Sequence, residues 1–134
     1  MTRNWRRAMG VSIALALAGV GGLAPADDEV KESNKWRLAV DGSAGSAGRV
    51  ELKVTPHQGA STEVSVEVAD KRHENGIAKD IRDALEAQLP VDRYKVEVDD
   101  GEDVLIKKLS GQPDFTVELV SSGLEGVSLK LKRE

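Results

Sequence analysis

The chain has 134 residues, a formal net charge of −4, an aromatic content of 3% and no cysteine. This length suits one small domain, and the lack of cysteine excludes both a fold that depends on disulfides and lipid attachment through an N-terminal cysteine. The acidic balance, with only small basic groupings, argues against nucleic-acid binding.

The N-terminus has the pattern of a secretory signal peptide. Arg3, Arg6 and Arg7 give a positive n-region, an apolar run occupies residues 9–23, and small residues precede a cleavage site predicted after Ala26. We therefore expect this segment, residues 1–26, to direct export through the Sec route, so that the protein is periplasmic or secreted in a bacterium.

Two other interpretations of this segment are weaker. An uncleaved membrane anchor would need about 20 strongly apolar residues, and the uncharged stretch 8–26 contains four glycines and a proline. A twin-arginine signal would need a hydrophobic pair after Arg6-Arg7, which is absent. Cleavage would leave 108 residues without a membrane span. It would change the net charge from −4 to −7, because the removed segment holds three arginines and no acid.

The mature chain is expected to begin with a charged flexible tether, residues 27–35, which shows no periodicity. A single domain then follows over residues 36–134. Its first part contains three runs in which apolar side chains alternate with polar ones, the period of half-buried β-strands. These runs are WRLAVD (36–41), RVELKVT (49–55) and TEVSVEV (62–68).

The period changes to that of a helix after Asp70. Apolar residues then recur every four positions, opposite a charged face, which predicts one amphipathic helix over about 75–89. Asn75 is the expected N-cap, and Pro90 is expected to end the helix. The apolar stripe consists of Ile77, Ile81, Leu85 and Leu89.

Four further alternating runs follow the helix and are separated by turn signals. The order of elements is therefore three strands, one helix and four strands. We predict an α+β domain in which a curled, mainly antiparallel sheet of about seven short strands packs on the helix. The last four runs are RYKVEVD (93–99), DVLIKKL (103–109), FTVELV (115–120) and VSLKLKR (127–133).

The densest charge cluster lies between two of these runs. Asp100-Gly101 is a strong hairpin signal, since both central residues of a type I′ turn need positive φ. The acids around it are expected at a solvent-exposed tip. Such a tip is a weak candidate for a Ca²⁺ site, although it has neither the spacing nor the flanking helices of an EF-hand. The candidate ligands are Asp99, Asp100, Glu102 and Asp103.

No motif of a known catalytic centre is present, and we predict that the protein is not an enzyme and has no cofactor. His57 and His73 are general-base candidates in principle, but neither lies in a nucleophile or metal motif, so both are interpreted as solvated loop residues. Glu63 and Glu67 are interpreted as an outward-facing, solubilising pair, because a catalytic carboxylate needs desolvation to shift its pKa.

The aromatic residues after the signal segment are Trp36, Tyr94 and Phe115, all on predicted inward faces. Binding of sugars or single-stranded nucleic acid by stacking needs exposed rings, so all three are interpreted as core. Trp36 lies close to the predicted mature N-terminus, and is also a candidate for partner binding.

The segment 77–123 resembles an inserted module of bacterial flagellins and phage tail sheath or tail proteins. The resemblance rests on IAKDIRDAL as a short helix, YKVEVDDGEDVLI as a hairpin, and DFTVELVSSG as the following strand and turn. It implies a structural decoration without catalytic activity. Two departures from those families are the predicted signal peptide and the higher charge.

We therefore expect a small exported bacterial module that binds or holds an envelope protein, or associates with itself. The strands Trp36–Asp41 and Val127–Lys132 are candidate edges for a partner strand. Alternatively, Lys130, Lys132 and Arg133 on the last strand would protect this edge against such pairing. The alternative function is the binding of a small ligand at the sheet–helix interface, or of a cation at the acidic hairpin.

Overall fold

The structure is a computed structural model that describes residues 31–134. The predicted signal peptide and the first part of the predicted tether lie outside the described residues. Residues Glu32–Glu134 form one compact unit. Strands account for about 50% of it and the single helix for 14%, so the protein is mostly β.

The order of three strands, one helix and four strands is confirmed for the described residues. The strands before the helix are β1 (Lys35–Gly42), β2 (Gly48–Pro56) and β3 (Thr62–Val68). The helix α1 spans Glu74–Gln88. After it come β4 (Tyr94–Asp99), β5 (Asp103–Lys108), β6 (Phe115–Ser122) and β7 (Val127–Arg133).

The prediction of one curled sheet wrapped around the helix is wrong. The strands form two antiparallel sheets, a four-stranded one in the order β4-β5-β1-β7 and a three-stranded one in the order β3-β2-β6. Most of the strands have one apolar face, although β5 buries Val104, Leu105 and Ile106 in succession. One helix is too small to cover seven strands. The division into two sheets lets inner faces bury each other as well as the helix.

One continuous hydrophobic core joins both sheets and the helix. The alternating residues predicted to point inward are buried in β2 and β3, with at most 3% of each side chain exposed. Those of β7 are only partly buried. The buried residues of β2 and β3 are Val50, Leu52, Val54, Val64, Val66 and Val68.

The helix begins one residue earlier than predicted, and its predicted apolar stripe is buried. The prediction of Asn75 as N-cap is wrong. His73 occupies that position, but its side chain makes no capping hydrogen bond to the helix, and its carbonyl accepts the first helical bond from the N–H of Ile77 at 2.9 Å. The helix ends at Gln88, with Leu89 as its C-cap, just before Pro90.

The strand Trp36–Asp41, expected as a sheet edge, lies in the middle of the four-stranded sheet. It belongs to β1, which pairs with β5 on one side and with β7 on the other. Ser33, within the predicted tether, forms an isolated bridge with Phe115. The edges of this sheet are β4 and β7.

Candidate binding surfaces

A shallow apolar groove lies where the C-terminal end of α1 meets the edge strand β4. Its volume is about 310 Å³. The floor consists of side chains that the core already buries, and the rim carries Glu86 and Lys95. Val91 lies at this groove and is 79% exposed, the largest exposure of any bulky apolar residue among residues 31–134. The apolar lining residues are Leu85, Leu89, Pro90, Val91, Tyr94, Val96 and Leu109.

The backbone of β4 is open along the same groove. The N–H of Leu109 donates to the carbonyl of Arg93 at 2.8 Å, and the pairing continues from there through the hairpin. Because alternate residues of an antiparallel strand face the partner, the N–H groups of Val96 and Val98 point away from β5. Within residues 31–134, neither of these N–H groups has a hydrogen-bond partner.

The corresponding edge on the other side of the helix is closed. The Gln88 side chain accepts a hydrogen bond from the N–H of Ser65 at 3.1 Å, and donates one to the carbonyl of Ser65 at 2.9 Å. The amide of Gln88 therefore takes the place of a neighbouring strand at the centre of β3. Strand addition at β3 would have to displace it.

The edge strand β6 is covered at its start and distorted further along. Phe115 exchanges two backbone hydrogen bonds with Ser33, each of 3.0 Å. A register shift opposite Glu51 and Leu52 leaves Val120 without a partner on β2, and Val120 is 53% exposed. A bulge of this kind disfavours regular pairing with another strand.

The acidic hairpin has the predicted turn residues in the predicted conformation. Asp100 and Gly101 have φ values of 55° and 80°. The pairing ends at Asp99 and Asp103, so the loop contains Glu102 as a third residue. Both paired aspartates bind Arg37 of β1, through Nη1 distances of 3.1 Å and 2.7 Å. Two of the four carboxylates expected at the tip are therefore already paired with a side chain of the protein.

Arg37 is the counter-ion of three carboxylates, because its Nε also binds Glu134 at 3.1 Å. Hydrogen bonds, first to Asp103 and then to Glu134, raise the pKa of Arg37 far above its usual value. The guanidinium therefore stays charged, and holds the hairpin to the central strand of the sheet.

Glu102 faces a different neighbour. Repulsion from Glu74, in the first turn of the helix, is the main cause of a raised Glu102 pKa. Glu74 also accepts a hydrogen bond from the N–H of Gly42 at 3.0 Å. Within residues 31–134, no group of three or more acidic, histidine or cysteine side chains has an arrangement that could hold a metal ion.

Trp36, the candidate partner-binding residue, lies on β1 and packs against the core while remaining partly exposed. Its indole N–H donates to the carbonyl of Phe115 at 2.9 Å. The indole N–H, the polar group of this side chain, is therefore already hydrogen-bonded within the protein. Tyr94 and Phe115 are buried, and their rings meet edge-to-face with centroids 5.0 Å apart.

The two histidines lie apart, and both are exposed. Nδ1 of His57 lies 2.9 Å from a Glu32 carboxylate oxygen, and Nδ1 of His73 lies 3.2 Å from the Ser43 hydroxyl. Glu63 and Glu67 point outward on β3, where Glu67 binds Arg49 at 2.7 Å. None of these residues lines the groove at β4.

None of the residues that line this groove was predicted as a site from the sequence, although one signal for it was available. The residues after the helix, LPVDRY, place an apolar Val91 in a turn between the charged face of the helix and a strand. An apolar side chain in an otherwise polar turn indicates a contact surface when it is found exposed. In comparison with known proteins, no family model matches the chain, and no significant relative was found among curated proteins.

Proposed function

We propose that this protein is a small exported bacterial module without catalytic activity, and that it binds an extended segment of a protein partner in the cell envelope. The observation that carries this proposal is the coincidence of an apolar groove with an open strand edge at β4. A segment added to β4 would receive backbone hydrogen bonds and place one apolar side chain in the groove.

The geometry of the groove supports this mode of binding. The outward N–H groups of Val96 and Val98 are spaced as an added antiparallel strand requires. The exposed Val91 would lose most of its contact with water when the segment binds. Glu86 and Lys95 at the rim provide one charge of each sign, which would fix the direction of the segment.

Export to the periplasm or the exterior is part of the proposal, and is supported by the sequence pattern of residues 1–26. The part of the chain that the structure describes contains no helix with the length and apolar character of a membrane span. The resemblance of residues 77–123 to flagellin and tail-protein modules is a further proposal, and it would also favour a structural role.

The second candidate function is the binding of a small apolar ligand in the same groove. The volume of about 310 Å³ lies at the lower end of the range for ligand sites. A cation at the acidic hairpin has less support, because binding it would remove Asp99 and Asp103 from Arg37.

The test uses peptides selected on the purified chain from a displayed random library. A selected peptide should shift the NMR signals of β4 and α1, and slow the hydrogen exchange of the Val96 and Val98 amides. The substitution Val91→Asp should weaken binding about tenfold or more, because it places a charge at the apolar site. Val120→Asp is the matched control, since Val120 is also exposed but lies on β6.

The outcomes separate the two candidate functions. Protection of both amides together with sensitivity to Val91→Asp supports strand addition. A ligand that depends on Val91 but protects neither amide would point to a small-molecule site. Binding that maps away from β4, or that responds equally to both substitutions, would contradict the proposal.

A further inference from the structure

The edge strand β7 lies at the opposite side of the four-stranded sheet from the groove. It pairs with β1 over its whole length, from Trp36 with Arg133 to Gly42 with Val127, without a register shift. A regular strand of seven residues presents a long, uninterrupted edge. Bulges and short edge strands, two features that normally block pairing, are therefore missing from β7.

The direction of the backbone groups of β7 follows from one hydrogen bond. The N–H of Glu134 donates to the carbonyl of Lys35 at 2.9 Å, and the pairing with β1 continues from there. Alternate residues therefore face β1, while the N–H and C=O groups of Val127, Leu129 and Leu131 point to the open side. Within residues 31–134 these backbone groups have no hydrogen-bond partner.

The inner face of β7 is apolar and incompletely covered. Leu131 lies opposite Leu38, and Leu129 lies opposite Val40. The two β1 side chains are 0% and 2% exposed, whereas both leucines of β7 are only partly buried. They share the same face of the same sheet, so the difference comes from the missing neighbour on the open side. A further strand would cover the two leucines.

The outer face of β7 carries positive charge. Lys130 and Lys132 are exposed there, and Arg133 follows them. None of the three basic groups forms an ion pair with another of residues 31–134. The positive charge of this edge is therefore available to an acidic partner.

We propose that β7 accepts a strand from a protein partner in which apolar residues alternate with aspartate or glutamate. The apolar residues would extend the inner face beside Leu129 and Leu131. The acidic residues would lie beside Lys130 and Lys132 on the outer face, where cross-strand pairs of opposite charge are favourable. Backbone hydrogen bonds to the open edge would add affinity without sequence preference.

The same lysines select against a second copy of this chain. Pairing of β7 with another β7 would place basic side chains side by side, which is unfavourable. Edge lysines are a common protection against self-association, and here the protection leaves an acidic strand as the complementary partner. Because the chain as a whole is negative, an acidic partner gains no attraction from the overall charge of the protein.

This inference does not rest on the proposed function, because the groove and β7 occupy opposite edges of the sheet. The test uses the chain expressed from its full sequence and purified as the cell processes it. The probes are two short acetylated peptides, one alternating valine with glutamate and one alternating valine with lysine. Binding is measured at neutral pH and low salt by fluorescence anisotropy, and located by NMR and amide hydrogen exchange.

We expect the glutamate peptide to bind, and to slow exchange of the Val127, Leu129 and Leu131 amides, while the lysine peptide does not. Lys130→Glu should weaken binding about tenfold, and the double change Lys130→Glu with Lys132→Glu should reverse the peptide preference. Lys79→Glu is the control of equal charge change, since Lys79 is exposed on α1 away from β7. Val91→Asp should leave this binding unchanged.

Three results would overturn the inference. The first is the absence of binding by the glutamate peptide. The second is binding that protects amides elsewhere than on β7. The third is equal weakening by Lys130→Glu and Lys79→Glu, since that would show a general effect of net charge.

Discussion

Strands β3 and β4 flank the same helix, and yet only one of them is an open edge. The edge of β3 is closed at Ser65 by the side-chain amide of Gln88, whereas the outward N–H groups of Val96 and Val98 on β4 have no partner within residues 31–134. The difference depends on a single glutamine at the end of α1. Side chains as well as strand order thus decide which edges of a sheet can accept a partner.

The largest effect is expected from Leu85→Ala, which removes a fully buried side chain beneath the groove. Loss of apolar contact and the cavity left behind should lower the free energy of unfolding by about 2–5 kcal/mol. Because the helix packs against both β3 and β4, hydrogen exchange of the amides in the two strands should accelerate together. Urea unfolding and hydrogen exchange measure the two effects. Acceleration confined to β4 would contradict a shared helical support.

A smaller effect is expected from Arg37→Ala, which acts on the hairpin that contains β4. The change leaves the cross-strand aspartates Asp99 and Asp103 without their shared counter-ion. We expect a loss of about 1–2 kcal/mol at low salt, reduced in high salt because added ions screen the repulsion.

Arg49→Ala is the matched control for this change. Arg49 is more exposed, and its pairs with Glu51 and Glu67 should contribute at most about 1 kcal/mol. Urea unfolding of both variants at two salt concentrations makes the test. Equal losses for Arg37→Ala and Arg49→Ala would show that the partly buried network has no special role.

Gln88→Ala should convert the closed edge into an open one. The loss of two exposed hydrogen bonds should cost about 1 kcal/mol, and exchange of the Ser65 amide should accelerate. Lys79→Ala, on the same helix, serves as the control for helix propensity. If Ser65 exchange is unchanged, the glutamine does not close the edge. Light scattering at high concentration would show whether the opened β3 associates with other molecules.

The smallest effect is expected from Glu102→Gln and depends on pH. The pKa of Glu102 is raised above its usual 4.5, so its ionisation is less favourable in the folded chain than in the unfolded chain. The contribution of Glu102 to the free energy of unfolding is fully present at acidic pH, and it is lost as the pH rises through the raised pKa. Glu102→Gln should therefore stabilise the protein slightly at pH 7 and have no effect well below 4.5.

Glu97→Gln provides the opposite case. Lys107, at 2.6 Å, lowers the pKa of Glu97, so this carboxylate stabilises the fold above its usual 4.5 and loses that contribution as the pH falls. Glu97→Gln should thus destabilise the protein at neutral pH. The test is to measure the urea midpoints of both variants across the pH range. If both substitutions change the stability in the same direction at pH 7, the opposite roles given to Glu102 and Glu97 are wrong.

Several elements were predictable from the sequence because the signals are local. The alternation in RVELKVT and TEVSVEV indicates strands with one buried face, and both strands are present with the expected side buried. The four-residue repeat from Ile77 to Leu89 indicates the helix. The Asp100-Gly101 pair indicates the hairpin, and its positive φ values follow.

The candidate surfaces were only partly predictable. Val127–Lys132 was expected as an edge and belongs to the edge strand β7, but Trp36–Asp41 lies inside the sheet. The groove escaped prediction because its floor combines the end of α1 with β4, and its openness depends on which strands do not pair. The N-cap at Asn75 was wrong because the helix begins at Glu74 without a side-chain cap.

The order of the elements, the face that most of them bury and the position of the acidic turn follow from the sequence alone, since each depends on neighbours along the chain. The tertiary structure decided that there are two sheets, that β4 and β7 are open, and that Gln88 closes β3. It also decided that Arg37 binds Asp99 and Asp103. The side-chain contacts of Gln88 and Arg37 join residues that are 23 to 66 positions apart, and no local pattern encodes which distant partner a strand or a charge will meet.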